Sequence, residues 1–303
     1  MKHGSRNRLA AAAALLVGVA FSLSATAGRA APQVRPERRS PPPVSVQRIA
    51  DGIYFVAGGS GANAAFFVGR DSVTVIDAKM SADSARAMLA EIAGLTRLPV
   101  KTLILTHSDG DHINGLPGFP RGLTIVAQNN CRSDVEAATA SMPELGPYVP
   151  NVTFDDVLDL GDGPSALELR HYGPAHTRGD TVVYFPDGRT AFLGDLIFIG
   201  RDPLIHRAKG GSSFGYVGTL KAVLARRPEV QTFLSGHADP VTRVDVEGLI
   251  AGLEEKQAKV KALVAEGRSL DEVKAAFGLA DPGQGARRFP TLVEVIYLEL
   301  TEK

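Results

Sequence analysis

The chain has 303 residues, 44% of them hydrophobic and 22% charged, a globular balance with ample length for a buried core in one large or two small domains. Basic and acidic residues are equal at 33 each, but Lys2, Arg6, Arg8 and Arg29 fall in the first thirty positions, leaving 29 basic against 33 acidic residues in the body. That mildly acidic body argues against nucleic acid and against anionic membrane as partners, since both need clustered Lys and Arg, and the absence of Trp offers no stacking surface for sugars or bases.

The N-terminus, residues 1–30, reads as an export signal. Met1–Arg8 is basic, Leu9–Leu23 is apolar, and small residues follow at Ala25-Thr26-Ala27 and Ala30-Ala31. The apolar run is short for a membrane span, so a cleaved signal and a periplasmic or secreted product, with no membrane contact after cleavage, are expected. Residues 31–43 are rich in Pro and Arg and read as a linker. Cys131 is the sole cysteine, so no intrachain disulfide can form, and no nucleophile motif surrounds it.

From residue 44 the pattern predicts strands at Gly52–Val56 and Ala64–Val68 around the Gly58-Gly59-Ser60-Gly61 turn, then a buried strand at Val73–Ile76 ending on Asp77. An amphipathic helix is expected at Ala82–Ala93, a strand at Thr102–Leu105, a strand at Leu123–Ala127 and a helix near Arg132–Thr139. The second half predicts strands at Ala166–His171, Thr181–Phe185 and Thr190–Leu193, with Asp187-Gly188 as a hairpin turn. A helix at Tyr216–Arg226, a strand at Gln231–Leu234, and helices at Val246–Glu266, Leu270–Phe277 and Leu292–Leu300 complete the chain, Ser269 being placed as an N-cap. Two strand-rich halves with outer helices predict an α/β architecture of two face-to-face sheets covered on both sides. The expected domains are therefore residues 44–245 and a helical extension, 246–303, that either packs over the sandwich or forms a homodimer contact.

Chemistry concentrates in Thr106-His107-Ser108-Asp109-Gly110-Asp111-His112, which holds two of the seven His residues and two Asp. Later strand ends supply His176, Asp195 and His237. Imidazoles and carboxylates on loops after strands can converge on one sheet edge, and they are the ligand types that hold zinc, iron or manganese. In an extended loop His107 and Asp109 point the same way and can grip one metal. Gly110 is expected to permit a sharp turn, beyond which Asp111 and His112 emerge toward a second metal. Thr106 is placed to hydrogen-bond the loop backbone.

With these residues on one chain, the sequence resembles the metallo-β-lactamase superfamily, whose signature is Thr-His-x-His-x-Asp-His followed by Gly, here Thr106 to His112 with Gly115 beyond. Asp77 at a strand end, His176 in a later loop, Gly194-Asp195 and Ser235-Gly236-His237 extend the likeness over roughly residues 46–240. The resemblance implies a four-layer αββα sandwich with His107 and His176 at a first metal, Asp111, His112 and His237 at a second, Asp195 bridging them and Asp77 orienting the loop. Asp109 departs from the usual His. As a harder, anionic ligand it leaves iron or manganese open beside zinc, and one strongly bound metal open beside two.

The resemblance implies hydrolysis, in which two divalent ions lower the pKa of a shared water and Asp111 orients it and takes its proton. A small ester, lactone, thioester or amide is the expected substrate; β-lactams fit less well, because an Asp rather than Cys or Ser stands at position 195. Phe198, Arg201, His206, Lys209 and Tyr216 are candidates for substrate contact, and His206 and Lys209 for an anionic group. His171 reads as a core residue. The alternative is a non-catalytic periplasmic metal-binding or accessory protein whose site has decayed at Asp109.

Overall fold

Thirteen strands form two sheets in a computed structural model that describes residues 41–163, 166–279 and 289–302. The expected export signal and nearly all of the linker lie outside the described residues. The first sheet runs in the order β1 (Ser45–Ala50), β2 (Ile53–Ala57), β3 (Ala64–Val68), β4 (Val73–Ile76), β5 (Val100–Ile104), β6 (Thr124–Gln128) and β7 (Val152–Phe154). Its first four strands are antiparallel, and β4 to β7 are parallel. The second sheet runs β13 (Val241–Thr242), β12 (Thr232–Leu234), β11 (Thr190–Phe192), β10 (Val182–Tyr184), β9 (Leu167–Arg170) and β8 (Val157–Leu160), with β11 and β12 its one parallel pair.

Side-chain alternation along the strands sorts the core into three layers. Ile53, Phe55, Ala65, Ile76, Ile104 and Val126 face Leu169, Val183, Phe185, Phe192 and Leu234 between the sheets. The next residues along the same strands face outward. Phe66, Val75, Leu103 and Ile125 pack under α1 (Ala82–Leu95) and α3 (Asn129–Ala138), through Met88, Ile92 and Val135. Val182, Tyr184, Ala191 and Phe233 pack under α4 (Ser213–Arg226), α5 (Arg243–Ala265), α6 (Leu270–Ala276) and α7 (Leu292–Thr301). The result is a four-layer αββα sandwich.

Of the two placements expected for the helices from residue 246, the structure shows packing over the sandwich, where they form the outer layer of the second sheet. Val246, Ile250, Leu253, Val260, Val273 and Ile296 belong to the same buried cluster as the strands, and the described residues from 41 onward form one compact unit. α5 starts at Arg243 because Thr242 and Asp245 close a reciprocal capping box, and α4 starts at Ser213 because the Ser212 hydroxyl accepts from Gly215 N. No helix among the described residues is long and apolar enough to cross a membrane.

Candidate metal centre

The site lies where loops leave both sheets along one edge. β4 delivers Asp77, β5 delivers Thr106 and His107, and the chain then enters α2 (Gly110–Ile113) carrying Asp111 and His112. From the second sheet, the β9–β10 loop brings His176, the turn after β11 brings Asp195, and the turn after β12 brings His237. Backbone bonds tie these loops together: across the sandwich Thr181 N donates to Thr106 O at 2.8 Å and Asn63 N to Gly236 O at 2.7 Å, and within the second sheet Gly236 N donates to Gly194 O at 2.9 Å. Gly236 is required by close approach, since a Cβ there would stand 2.5 Å from Asp195 Oδ1 and 2.8 Å from His112 Cε1. At Gly110 the backbone is not left-handed. This residue opens α2, after Asp109 in extended geometry.

Two ligand clusters result: His107, Asp109 and His176, and Asp111, His112, Asp195 and His237, with the ligand atoms of each within 4.8 Å of one another. Asp195 reaches both. Its Oδ1 is 3.0 Å from His112 Nε2, and its Oδ2 is 3.0 Å from His237 Nε2, 3.7 Å from His176 Nε2 and 3.8 Å from His107 Nε2. Asp109 Oδ2 is 3.0 Å from His176 Nε2, and Asp111 Oδ2 is 3.1 Å from His237 Nε2. Asp111 and His237 are each about a quarter exposed, while the other imidazoles are buried, so the centre opens on the Asp111–His237 side.

The donor set fits a pair of divalent cations. His107 Nε2, His112 Nε2 and Asp195 Oδ1 are buried and make no hydrogen bond, a costly arrangement that coordination would relieve. The opposite ring nitrogens are engaged: His112 Nδ1 with Asp77 Oδ2 at 2.7 Å, His176 Nδ1 with the Leu204 carbonyl at 2.8 Å, and His107 Nδ1 with Thr106 Oγ1 at 3.0 Å. This orients the Nε2 atoms of these three rings inward. Asp77 also accepts from Thr106 N and Thr106 Oγ1, each at 2.8 Å, so one buried carboxylate shapes the whole loop.

Three carboxylates make the centre strongly cation-attracting. Burial works against charge on His176 and His237, yet hydrogen bonds to Asp109 on one and to Asp111 and Asp195 on the other push both pKa values up to about 9. Burial alone would raise Asp195, but the neighbouring His112 holds it well below the usual carboxylate range. Asp111 is likewise lowered, against burial, by its bond from His237. His107 departs downward, because burial and the adjacent His112 both oppose its charge.

Three expected substrate contacts are used otherwise. Lys209 Nζ donates to Ser108 O at 2.8 Å, Ser108 Oγ at 2.9 Å and Asp109 Oδ1 at 2.7 Å, which occupies all three ammonium protons. His206 Nδ1 bonds the same Asp109 Oδ1 at 2.9 Å. Tyr216 is buried and donates its hydroxyl to the Asp195 carbonyl at 3.2 Å, beneath the site rather than in its mouth. Phe198 stacks on His237, with ring centroids 5.1 Å apart, and Arg201 lies over Phe198. His171 Nδ1 bonds the Asp180 carbonyl at 2.8 Å, and Cys131 is buried and held protonated by that burial.

Supporting residues that the motif reading missed include Asp180, which accepts from Thr177 N and Oγ1 and so shapes the His176 loop, and Asn63, whose amide spans the Ser235 and Ala238 carbonyls around His237. The Thr177-x-x-Asp180 spacing is a readable turn signal. Asn63 has none, because its partners are more than 170 positions away.

Comparison with known proteins places these features in a family. The family model described as "Metallo-beta-lactamase superfamily" matches residues 57–237. The α subunit of 2,4-dinitroanisole O-demethylase from Nocardioides sp. (strain JS1661) is 27% identical over 133 residues, 44% of this chain and 40% of that protein. The linear primary-alkylsulfatase of Pseudomonas sp. (strain ATCC 19151) is 24% identical over 216 residues, 57% of this chain and 40% of that protein. The chain thus spans about two fifths of these curated relatives. Among solved structures, a metallo-β-lactamase from Pontibacter korlensis superposes with a TM-score of 0.59 at 19% identity, over 70% of this chain and 99% of the other. A double mutant of the sec-alkyl sulfatase PisA1 superposes with a TM-score of 0.70 at 17% identity, over 85% of this chain and 50% of the other.

Proposed function

Because the chain belongs to the metallo-β-lactamase superfamily, we propose that it is an exported metal-dependent hydrolase, periplasmic or secreted, that cleaves a small ester, lactone, thioester or amide. The observation that carries this reading is the convergence of seven ligand-type side chains in two clusters that share Asp195. Zinc is the first choice for both positions, with iron or manganese favoured wherever the harder Asp109 dominates. A divalent pair supplies an electrophile for the substrate oxygen and an acidified water.

The protein's own groups do the rest. His107, Asp109 and His176 hold one position; Asp111, His112 and His237 hold the other; Asp195 joins them. Asp111 is partly exposed at the open side and bonded to His237, where it can orient the attacking water and accept its proton. Asp77 and Thr106 fix the loop that carries four of the seven ligands.

Sulfate monoesters enter as a second substrate class, since two relatives found independently by sequence and by structure are alkyl sulfatases. A non-catalytic accessory protein is the reading to be beaten. Metal content after chelator-free purification, followed by turnover of a lactone, a thioester, nitrocefin, a phosphodiester and an alkyl sulfate with zinc, iron or manganese, separates them. Near two metals per chain with turnover of one substrate is expected; no metal and no turnover on reconstitution would sink the enzyme. Asp111→Asn is expected to abolish turnover, by at least 100-fold, with the thermal melt unchanged within a few degrees. An Asp111→Asn variant at wild-type rate removes Asp111 from the mechanism.

A further inference from the structure

Beside the ligand clusters lies a cavity of about 350 Å³ whose lining includes Phe198, Arg201, Pro203, Leu204, Leu279 and Phe289. Three of these walls lean directly on the centre. Phe198 stacks on His237, the Leu204 carbonyl accepts from His176 Nδ1, and Phe289 meets His206 edge-on at 5.1 Å, with His206 bonded to Asp109. The cavity lining holds none of the seven ligands, but through Phe198, Leu204 and Phe289 it touches His237 of one cluster, His176 of the other and the Asp109 partner His206. Its volume is within the range of pockets that bury small molecules. The lining is mostly apolar, and Ile199, on the same loop as Phe198 and Arg201, exposes 49% of its surface.

The polar lining groups differ in how they are used. Asp202 is paired with Lys256, and Thr291 caps α7 through its bonds with Glu294. Arg201 has no carboxylate within ion-pair reach among the described residues; its guanidinium lies 4.7 Å from the Phe198 ring centroid. An apolar chamber with one unpaired guanidinium fits an amphiphilic ligand: burial of the apolar part gives affinity, and the fork-shaped cation selects an anionic group.

We propose that this cavity is the substrate pocket of the hydrolase, and that the substrate carries an apolar alkyl or aryl arm, received by Phe198, Leu204, Leu279 and Phe289, together with an anionic group held by Arg201. The proposal rests on the hydrolase reading for the word substrate, but the pocket is tested by binding alone. The probes are straight-chain carboxylates from acetate to octanoate and the neutral 1-octanol, titrated calorimetrically into the metal-loaded protein. Acetate reports any contact of the carboxylate with the metals. Affinity is expected to rise roughly three- to fourfold per added methylene, as for burial of a CH₂ group, and to level off once the cavity is full. Leu279→Trp, which fills the chamber away from the ligand clusters, is expected to flatten that series. Arg201→Gln is expected to weaken octanoate at least tenfold while 1-octanol binds as before.

Octanoate binding no tighter than acetate overturns the pocket. Equal loss of octanoate and 1-octanol in Arg201→Gln overturns the anion assignment. Chain-length dependence without turnover of any ester leaves the pocket standing and removes the hydrolase; ester turnover without chain-length dependence does the reverse.

Discussion

Asp109 divides its two oxygens between two tasks. Oδ2 faces His176 and His107, where a metal would bind, and Oδ1 is taken by Lys209 and His206. An Asp in place of the family's usual His adds one negative charge, and the Lys209 ammonium returns it, so the pair together carries the charge of a neutral imidazole. This makes Lys209 a positioning residue for the ligand loop, clamped as it also is to Ser108. Asp109→His alone restores the usual ligand but leaves Lys209 unpaired beside a dication, so zinc affinity of the first position should fall at least tenfold. Adding Lys209→Met should recover most of that loss. Competition with a chromophoric chelator measures both variants; a single mutant that binds zinc as tightly as the double removes the charge-compensation argument. His107, Asp109, His176 and their partners were legible in sequence because ligand types recur at strand ends. The use of Lys209, His206 and Tyr216 was not, since it depends on how the loop between Asp195 and α4 folds back, and nothing in its spacing encodes that.

Strand β4 is followed by two left-handed residues that are not glycine, Asp77 at φ 65° and Lys79 at φ 66°. Such conformations cost on the order of 1 kcal/mol each and persist where surroundings impose them. Here the bend lets Asp77 meet Thr106 and His112, and it buries Lys79 with its ammonium on the Ala62 carbonyl. Burial lowers the Lys79 pKa to about 8, against the pull of Asp77 and Asp111. Since the folded value is below the unfolded 10.5, the unfolded chain holds more protons between these limits, and stability rises with pH across that window. Relative to Lys79→Met, the wild type should gain up to ~3 kcal/mol from pH 8 to 10.5 in urea unfolding. A parallel pH response of both proteins would mean that Lys79 is not desolvated in solution. Internal strands announced themselves as apolar runs, whereas β1, β7, β8 and β13 were missed, and these are the four edges of the two sheets. Edge strands are short or half-exposed, as β1 and β8 show, so their hydropathy does not separate from that of loops.

At the scale of the whole molecule, the centre is a joint between the sheets. His107, Asp109, Asp111 and His112 come from loops of the first sheet, and His176, Asp195 and His237 from the second, so each cluster draws on both. Cations bound there would hold the two halves of the sandwich together and offset three clustered carboxylates. Without metal, protons must do this: His176 and His237, both raised to about 9, are then cationic at neutral pH. A pKa raised above its unfolded value of 6.5 gives stability that is complete below 6.5 and lost as pH rises through 9. The metal-free protein should therefore weaken between pH 6.5 and 9, while the loaded protein, whose ligands are already deprotonated, should not. Binding at 100 times Kd adds about 2.7 kcal/mol per site, which for a domain of this size raises the melting temperature by roughly 5–10 °C. That gap should widen by several degrees from pH 6.5 to 9 and saturate at two equivalents of zinc. Calorimetry of the chelator-stripped protein, titrated with zinc at both pH values, measures it. A gap that shrinks with rising pH would show that the protonated imidazoles do not stand in for the cations, and that the sheets are held at this edge by packing alone.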